Sequence, residues 1–124
     1  MDKAKILLVD DELDMLDSLC DILTDYGYSV TTSDNGIKAI NLLKEDSFDL
    51  LLTDLKMPTI DGLELLKRAK EIAPKLCVII MTGYGSVQSE VLAKEQGAYE
   101  YITKPFEVER VVSIIRDALD IFPK

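Results

Sequence analysis

The sequence predicts a single α/β domain, doubly wound, with a five-stranded parallel sheet covered by helices on both faces. Three observations predict it. Residues 6–9, 50–52 and 78–81 are short runs of apolar residues throughout, the pattern of strands buried on both faces. Each run leads into a stretch with apolar residues at helical spacing, so that five βα units follow one another. The length of 124 residues and the 48% hydrophobic content fit one domain with one core.

The elements follow in order. After the strand at 6–9, Leu13, Leu16, Cys20 and Leu23 recur at helical spacing, and Gly27 stops the helix. Residues 28–32 read as the second strand, after which Asp34 or Asn35 caps a helix carrying Ile40 and Leu43. The third strand covers 50–53. Beyond a loop with Met57-Pro58 and the turn pair Asp61-Gly62, a helix carries Leu63, Leu66 and Ala69 and ends at Pro74. The fourth strand covers 78–81, and a weakly apolar helix spans 86–96 before Gly97. Residues 99–103 form the fifth strand, and the last helix carries Val108, Val111, Val112, Ile115 and Leu119. Right-handed crossovers leave few topologies, and the order 2-1-3-4-5 is adopted from known doubly wound sheets rather than derived.

Composition narrows the function. The net charge of −9 repels phosphate backbones, which argues against nucleic-acid binding by this segment. The chain has no His, so His bases, His metal ligands and phosphohistidine chemistry on this chain are excluded. Cys20 and Cys77 match no disulfide framework or metal spacing; they read as small core residues of a protein from a reducing cytoplasm. No apolar run has signal-peptide or membrane-spanning length.

Polar residues gather just after the buried strands: Asp10-Asp11-Glu12, Asp54, Thr82 and Lys104. In an open parallel sheet these ends share one rim, where ligands bind. Three carboxylates would then converge. At ~4 Å and an effective dielectric of ~20, each like-charged pair costs about 4 kcal/mol. Such a cluster calls for a cation, either the Lys104 ammonium or a divalent ion held by hard oxygens, with Mg²⁺ the best match. Taken singly, each residue has an ordinary reading. Asp11 or Glu12 can cap a helix, Asp54 can be a turn residue, Thr82 a cap or turn hydroxyl, and Lys104 a solvated side chain. Those readings leave the joint placement on four strand ends unexplained.

Asp10-Asp11, Asp54 with Met57-Pro58 and Asp61-Gly62, Thr82-Gly83, and Lys104-Pro105-Phe106 together resemble the receiver domain of bacterial two-component response regulators, a CheY-like domain of flavodoxin-like fold. The resemblance covers essentially all of residues 1–124. The segments 82–85 and 97–106 look most like receivers of NtrC-type regulators.

The resemblance implies a mechanism. Asp54 would take a phosphoryl group from a phosphohistidine on a sensor histidine kinase and become an aspartyl phosphate. Asp11 and Asp54 would bind Mg²⁺ directly, Asp10 through water, and the backbone carbonyl of Lys56 would add a ligand. Lys104 and the ion would neutralise the phosphoryl oxygens. An unperturbed Asp is ionised at neutral pH, so no base is needed. Thr82 and Tyr101 would form the switch: Thr82 turns to the phosphoryl group and Tyr101 rotates inward into the space vacated. One charge-assisted hydrogen bond contributes about 1.5–3 kcal/mol. Moving an equilibrium from about 1:99 to 99:1 takes about 5.5 kcal/mol, so Thr82 needs help from Lys104, the ion and a partner surface. The Lys104-Pro105 bond would be cis, and Gly83 would leave room for the incoming donor. Lys56 and Tyr84 would flank the path of attacking water, with Tyr84 slowing dephosphorylation.

The chain would thus be a phosphoacceptor rather than a turnover enzyme. It would control an output domain or partner, with transcription as the process regulated. The face formed by the fourth helix, fifth strand and fifth helix would dimerise or dock that output, although a wide core-facing stripe explains Val111, Val112, Ile114 and Ile115 equally well. Whether the chain stands alone or belongs to a longer regulator stays open.

Three rival readings fit the sequence less well. A phosphatase of the haloacid-dehalogenase type needs a second Asp two residues after the nucleophile, where this chain has Lys56. A nucleotide- or flavin-binding domain needs a first βα turn rich in Gly, Ser or Thr, where this chain has Asp10-Asp11-Glu12. A degenerate receiver acting only as a binding module would not need all the motif residues.

Overall fold

The structure, a computed structural model, describes residues 3–83 and 85–121. Strands β1 (Lys5–Val9), β2 (Ser29–Ser33), β3 (Leu50–Asp54), β4 (Cys77–Thr82) and β5 (Glu100–Thr103) alternate with helices α1 (Leu13–Asp25), α2 (Gly36–Glu45), α3 (Gly62–Ile72), α4 (Val87–Glu95) and α5 (Val108–Ile121). All pairings are parallel, in the order β2-β1-β3-β4-β5. This is the doubly wound arrangement that the sequence predicts. Strand order reverses between β1 and β3, which opens a crevice beyond their carboxyl ends.

Every residue of β3 and β4 is buried, which is why these strands read as unbroken apolar runs. Successive side chains alternate between two core layers. Leu7, Val9, Leu51, Val78 and Ile80 pack with α2, α3 and Ala93 of α4. Ile6, Leu8, Leu50, Leu52, Ile79 and Met81 pack with α1 and α5. Each Leu or Ile so buried contributes about 1.5–3 kcal/mol relative to exposure.

Helix ends follow from local chemistry. Of the two cap candidates, Asn35 caps α2, its side chain accepting the Lys38 N–H at 2.9 Å. α1 and α4 each end in a six-to-one turn. Tyr28 N–H reaches the Leu23 carbonyl across Gly27 (φ 97°), and Ala98 N–H reaches the Ala93 carbonyl across Gly97 (φ 101°). Because that turn engages the Tyr28 amide, β2 starts at Ser29, one residue later than predicted.

Other expectations need correction. Leu13 is 59% exposed, because the first residue of α1 lies beyond the sheet's rim. Cys77 is buried as expected, but Cys20 is only half-buried. On α5, Val111, Val112, Ile115 and Ala118 all face the core, so its wide apolar stripe is mainly core-facing. The exposed apolar side chains of this side belong to α4: Val87 (80% exposed), Val91 and Leu92. Among the described residues no helix is long and apolar enough to cross a membrane.

Candidate functional site

The parallel register brings the four strand ends to one rim. Asp10 follows β1, with its N–H on the Ser33 carbonyl at 3.2 Å. Asp54 closes β3 and Thr82 closes β4. Lys104 follows β5, with its N–H on the Thr82 carbonyl at 2.8 Å. Residues far apart in sequence thereby share an open cleft of about 610 Å³, lined by Asp11, Glu12, Asp54, Lys56, Gly83 and Lys104.

Asp10 is fully buried. Its Oδ1 accepts the Glu12 N–H at 2.9 Å, and its Oδ2 accepts from Lys104 Nζ at 3.0 Å. Glu12 holds the N-cap position of α1 without a side-chain bond to the helix, so the capping alternative does not account for it. Asp54 Oδ1 accepts the Leu55 N–H at 2.8 Å, and Oδ2 lies 3.7 Å from Lys104 Nζ. Lys104 is therefore largely enclosed between two carboxylates and is not a solvated side chain.

Asp10, Asp11 and Asp54 each offer an oxygen, all within 4.8 Å of one another. Three hard oxygen donors against one ammonium fit a small divalent cation such as Mg²⁺. Asp11, exposed at the mouth, completes the group.

Burial is the main cause that raises the Asp54 carboxyl above its ordinary pKa; the Asp10 charge adds to this and Lys104 opposes it. Asp54 is thus not the unperturbed carboxylate that the sequence suggested. The folded chain binds the Asp54 proton more tightly than the unfolded chain. The stability this gives is complete below the ordinary Asp range and is lost as pH rises through the raised value. At neutral pH the folded state carries the burial cost of the charge. Asp54→Asn should therefore stabilise the metal-free protein at pH 7 and raise its Tm. In scanning calorimetry with chelator that gain should vanish below about pH 4. An equal gain at both pH values would contradict the stated cause.

The β3–α3 loop shapes the cleft's third side. Ile60 N–H bonds the Pro58 carbonyl at 2.8 Å across Thr59, whose φ of 71° is unusual for a β-branched residue. This is a three-residue γ-turn of the strained, positive-φ kind. Asp61 and Gly62 are not a free turn pair. Asp61 caps α3 by accepting the Glu64 N–H at 2.9 Å, and Gly62 N–H bonds the Leu55 carbonyl at 2.7 Å. A Cβ on Gly62 would stand 2.4 Å from the Asp54 carbonyl oxygen and 2.8 Å from Leu55 Cα. By contrast, a Cβ on Gly83 would meet only Lys104 Cβ, at 3.8 Å.

Thr82 is fully buried. Tyr101 is 5% exposed, with its hydroxyl 2.7 Å from Ser89 Oγ. The inward position expected only after phosphorylation is therefore already taken. The Lys104–Pro105 peptide bond is cis. The shielding role expected of Tyr84 lies outside the described residues. Gly62 was visible in the sequence only as half of a turn pair. Ser89 carried no signal, because its partner is twelve residues away.

Residues 6–116 match the family described as response regulator receiver domain. The chain is 37% identical over 117 residues to Transcriptional regulatory protein GlrR of Escherichia coli (strain K12), covering 94% of this chain and 26% of that protein. It is 35% identical over 121 residues to Sporulation initiation phosphotransferase F of Bacillus subtilis (strain 168), covering 98% of both. The chain thus spans about a quarter of GlrR, but nearly all of the sporulation protein. Among solved structures, a CheY-like response regulator receiver domain protein from Methanospirillum hungatei JF-1 matches with a TM-score of 0.94 at 33% identity, covering 97% of this chain and 96% of that one. A response regulator protein from Burkholderia pseudomallei, solved with a phosphorylated aspartic acid, calcium ion and citrate, matches with a TM-score of 0.86 at 27% identity, covering 96% and 71%. The fold, the acidic rim and these similarities agree, and the chain belongs to the response regulator receiver domain family.

Proposed function

We propose that this receiver accepts one phosphoryl group per chain on Asp54, from a phosphohistidine of a sensor kinase, and passes the signal on by a change of shape. The observation that carries this reading is the joint placement of Asp10, Asp11, Asp54 and Lys104 at one rim. A carboxylate oxygen of Asp54 attacks phosphorus, the P–N bond to the donor imidazole breaks, and its electron pair returns to the imidazole nitrogen. Asp54 needs no base, since its proton is already gone in the reactive form. Lys104 holds positive charge beside the oxygens where negative charge collects. Asp10 orients Lys104. Asp10, Asp11 and Asp54, with the Lys56 carbonyl, would hold Mg²⁺, which when bound supplies further charge neutralisation. The phosphorylated aspartic acid and calcium ion of the Burkholderia protein support this assignment.

The acceptor is consumed stoichiometrically, so the chain is a switch rather than a turnover enzyme. The name of GlrR, a transcriptional regulatory protein, supports transcription as the process controlled, through an output domain or partner. The setting would be the cytoplasm, where free thiols such as those of Cys20 and Cys77 stay reduced. The test is incubation with acetyl phosphate or phosphoramidate and Mg²⁺, read by intact mass. A gain of one phosphoryl group that Asp54→Asn abolishes is the expected result. No gain with either donor would favour a binding module.

A further inference from the structure

The Tyr101 ring lies inside the core layer that also holds Ala93 and Ala98, and what keeps it there is local. Ser86 and Ser89 form a reciprocal box at the start of α4. Ser86 Oγ accepts the Ser89 N–H, and Ser89 Oγ accepts the Ser86 N–H, both at 3.0 Å. Ser89 Oγ also donates to the Ser86 carbonyl at 3.1 Å. A serine hydroxyl has one proton and two lone pairs. Ser86 Oγ also lies 3.2 Å from Ser89 Oγ, and the Tyr101 hydroxyl lies 2.7 Å from Ser89 Oγ in a hydrogen bond that either hydroxyl can donate. Gly85 lies against the ring. A Cβ there would stand 2.5 Å from the Tyr101 hydroxyl oxygen, 3.1 Å from its Cε1 and 3.1 Å from Thr82 Cγ2. The ring therefore fills a slot that exists because residue 85 has no side chain.

We propose that Ser89 is a positioning residue for the switch: its hydroxyl, fixed by the Ser86 box, holds the Tyr101 phenol over Gly85 before any phosphoryl group arrives. The unphosphorylated chain is then already poised, with the first turn of α4 tied to β5. Loss of the Ser89 hydroxyl frees the phenol, and bringing the ring inward then depends on Asp54. The inference rests on the reading of Thr82 and Tyr101 as the switch, but the bond itself is readable without phosphoryl chemistry.

The experiment is NMR of the full chain with ¹³C-labelled tyrosine rings, the Tyr101 signal being assigned by its loss in Tyr101→Phe. The wild-type ring should show one buried environment that Mg²⁺ and beryllofluoride leave in place. Ser89→Ala should lower the inward-to-outward ratio about fivefold, the factor set by one neutral hydrogen bond of ordinary strength. Ser89→Thr, which keeps a hydroxyl, should restore it. Gly85→Ala should expel the ring with the hydroxyl intact. The proposal is overturned if Ser89→Ala leaves the ring signals where they are, if Ser89→Thr fails to restore them, or if the wild-type ring already averages between buried and exposed positions. Because the ring is read without a phosphoryl donor, a chain whose Asp54 takes no phosphoryl group would refute the proposed function and leave this result standing. A phosphorylatable chain with an indifferent Ser89 would do the reverse.

Discussion

Gly62→Ala is expected to destabilise the protein by about 3 kcal/mol, far more than a Gly-to-Ala change normally does. The added Cβ would meet backbone, at 2.4 Å from the Asp54 carbonyl oxygen and 2.8 Å from Leu55 Cα, so no rotamer change relieves the clash. Either the end of β3 or the start of α3 must move, and the Gly62–Leu55 hydrogen bond at 2.7 Å holds them together. With an m-value of about 1.5 kcal/mol/M, the urea midpoint should fall by roughly 2 M. Gly83→Ala is the control. Its Cβ would make only an ordinary contact with Lys104 Cβ at 3.8 Å, and its midpoint should stay within roughly 0.3 M of wild type. Similar midpoints for the two variants would refute the close approach.

Lys104→Met should be as damaging in the presence of chelator, at about 3 kcal/mol, although the side chain is replaced by one of similar length. Asp10 is fully buried, and Lys104 is its ion-pair partner at 3.0 Å. Removing one partner of a buried pair strands the other charge. Here the stranded charge also faces Asp11 and Asp54. Two outcomes distinguish this from simple loss of packing. Adding Asp10→Asn to Lys104→Met should recover much of the stability. Millimolar Mg²⁺ should stabilise Lys104→Met more than it stabilises wild type, because binding free energy adds directly to folding free energy. Thermal melts with and without Mg²⁺ measure both, and a variant indifferent to the ion would sink the electrostatic account.

The sheet was legible because burial on both faces leaves a signature in composition: strands such as β3 and β4 have no polar side to show. The rim residues were legible only together: each alone has an ordinary reading, but polar residues directly after four buried strands share one rim. Boundaries were less legible, because they depend on which amide is already engaged. Tyr28 is given to the end of α1, so β2 starts late. Leu13 misled because helical spacing does not tell where the sheet ends. Close approaches were least legible. Gly62 against Asp54, and Gly85 beneath Tyr101, are facts about three-dimensional proximity that a linear pattern does not encode. Ser89 went unnoticed for that reason, as did the positive φ of Thr59.

The sheet divides the interior into two slabs, with α2, α3 and α4 on one side and α1 and α5 on the other. Substitutions of distant residues in opposite slabs should add in their effects, whereas those of touching residues within one slab should couple. Either outer surface can therefore be remodelled for a new binding protein while the strands, and the carboxylates at their tips, keep their places. A lineage of such chains can change whom it speaks to without rebuilding how it is written upon.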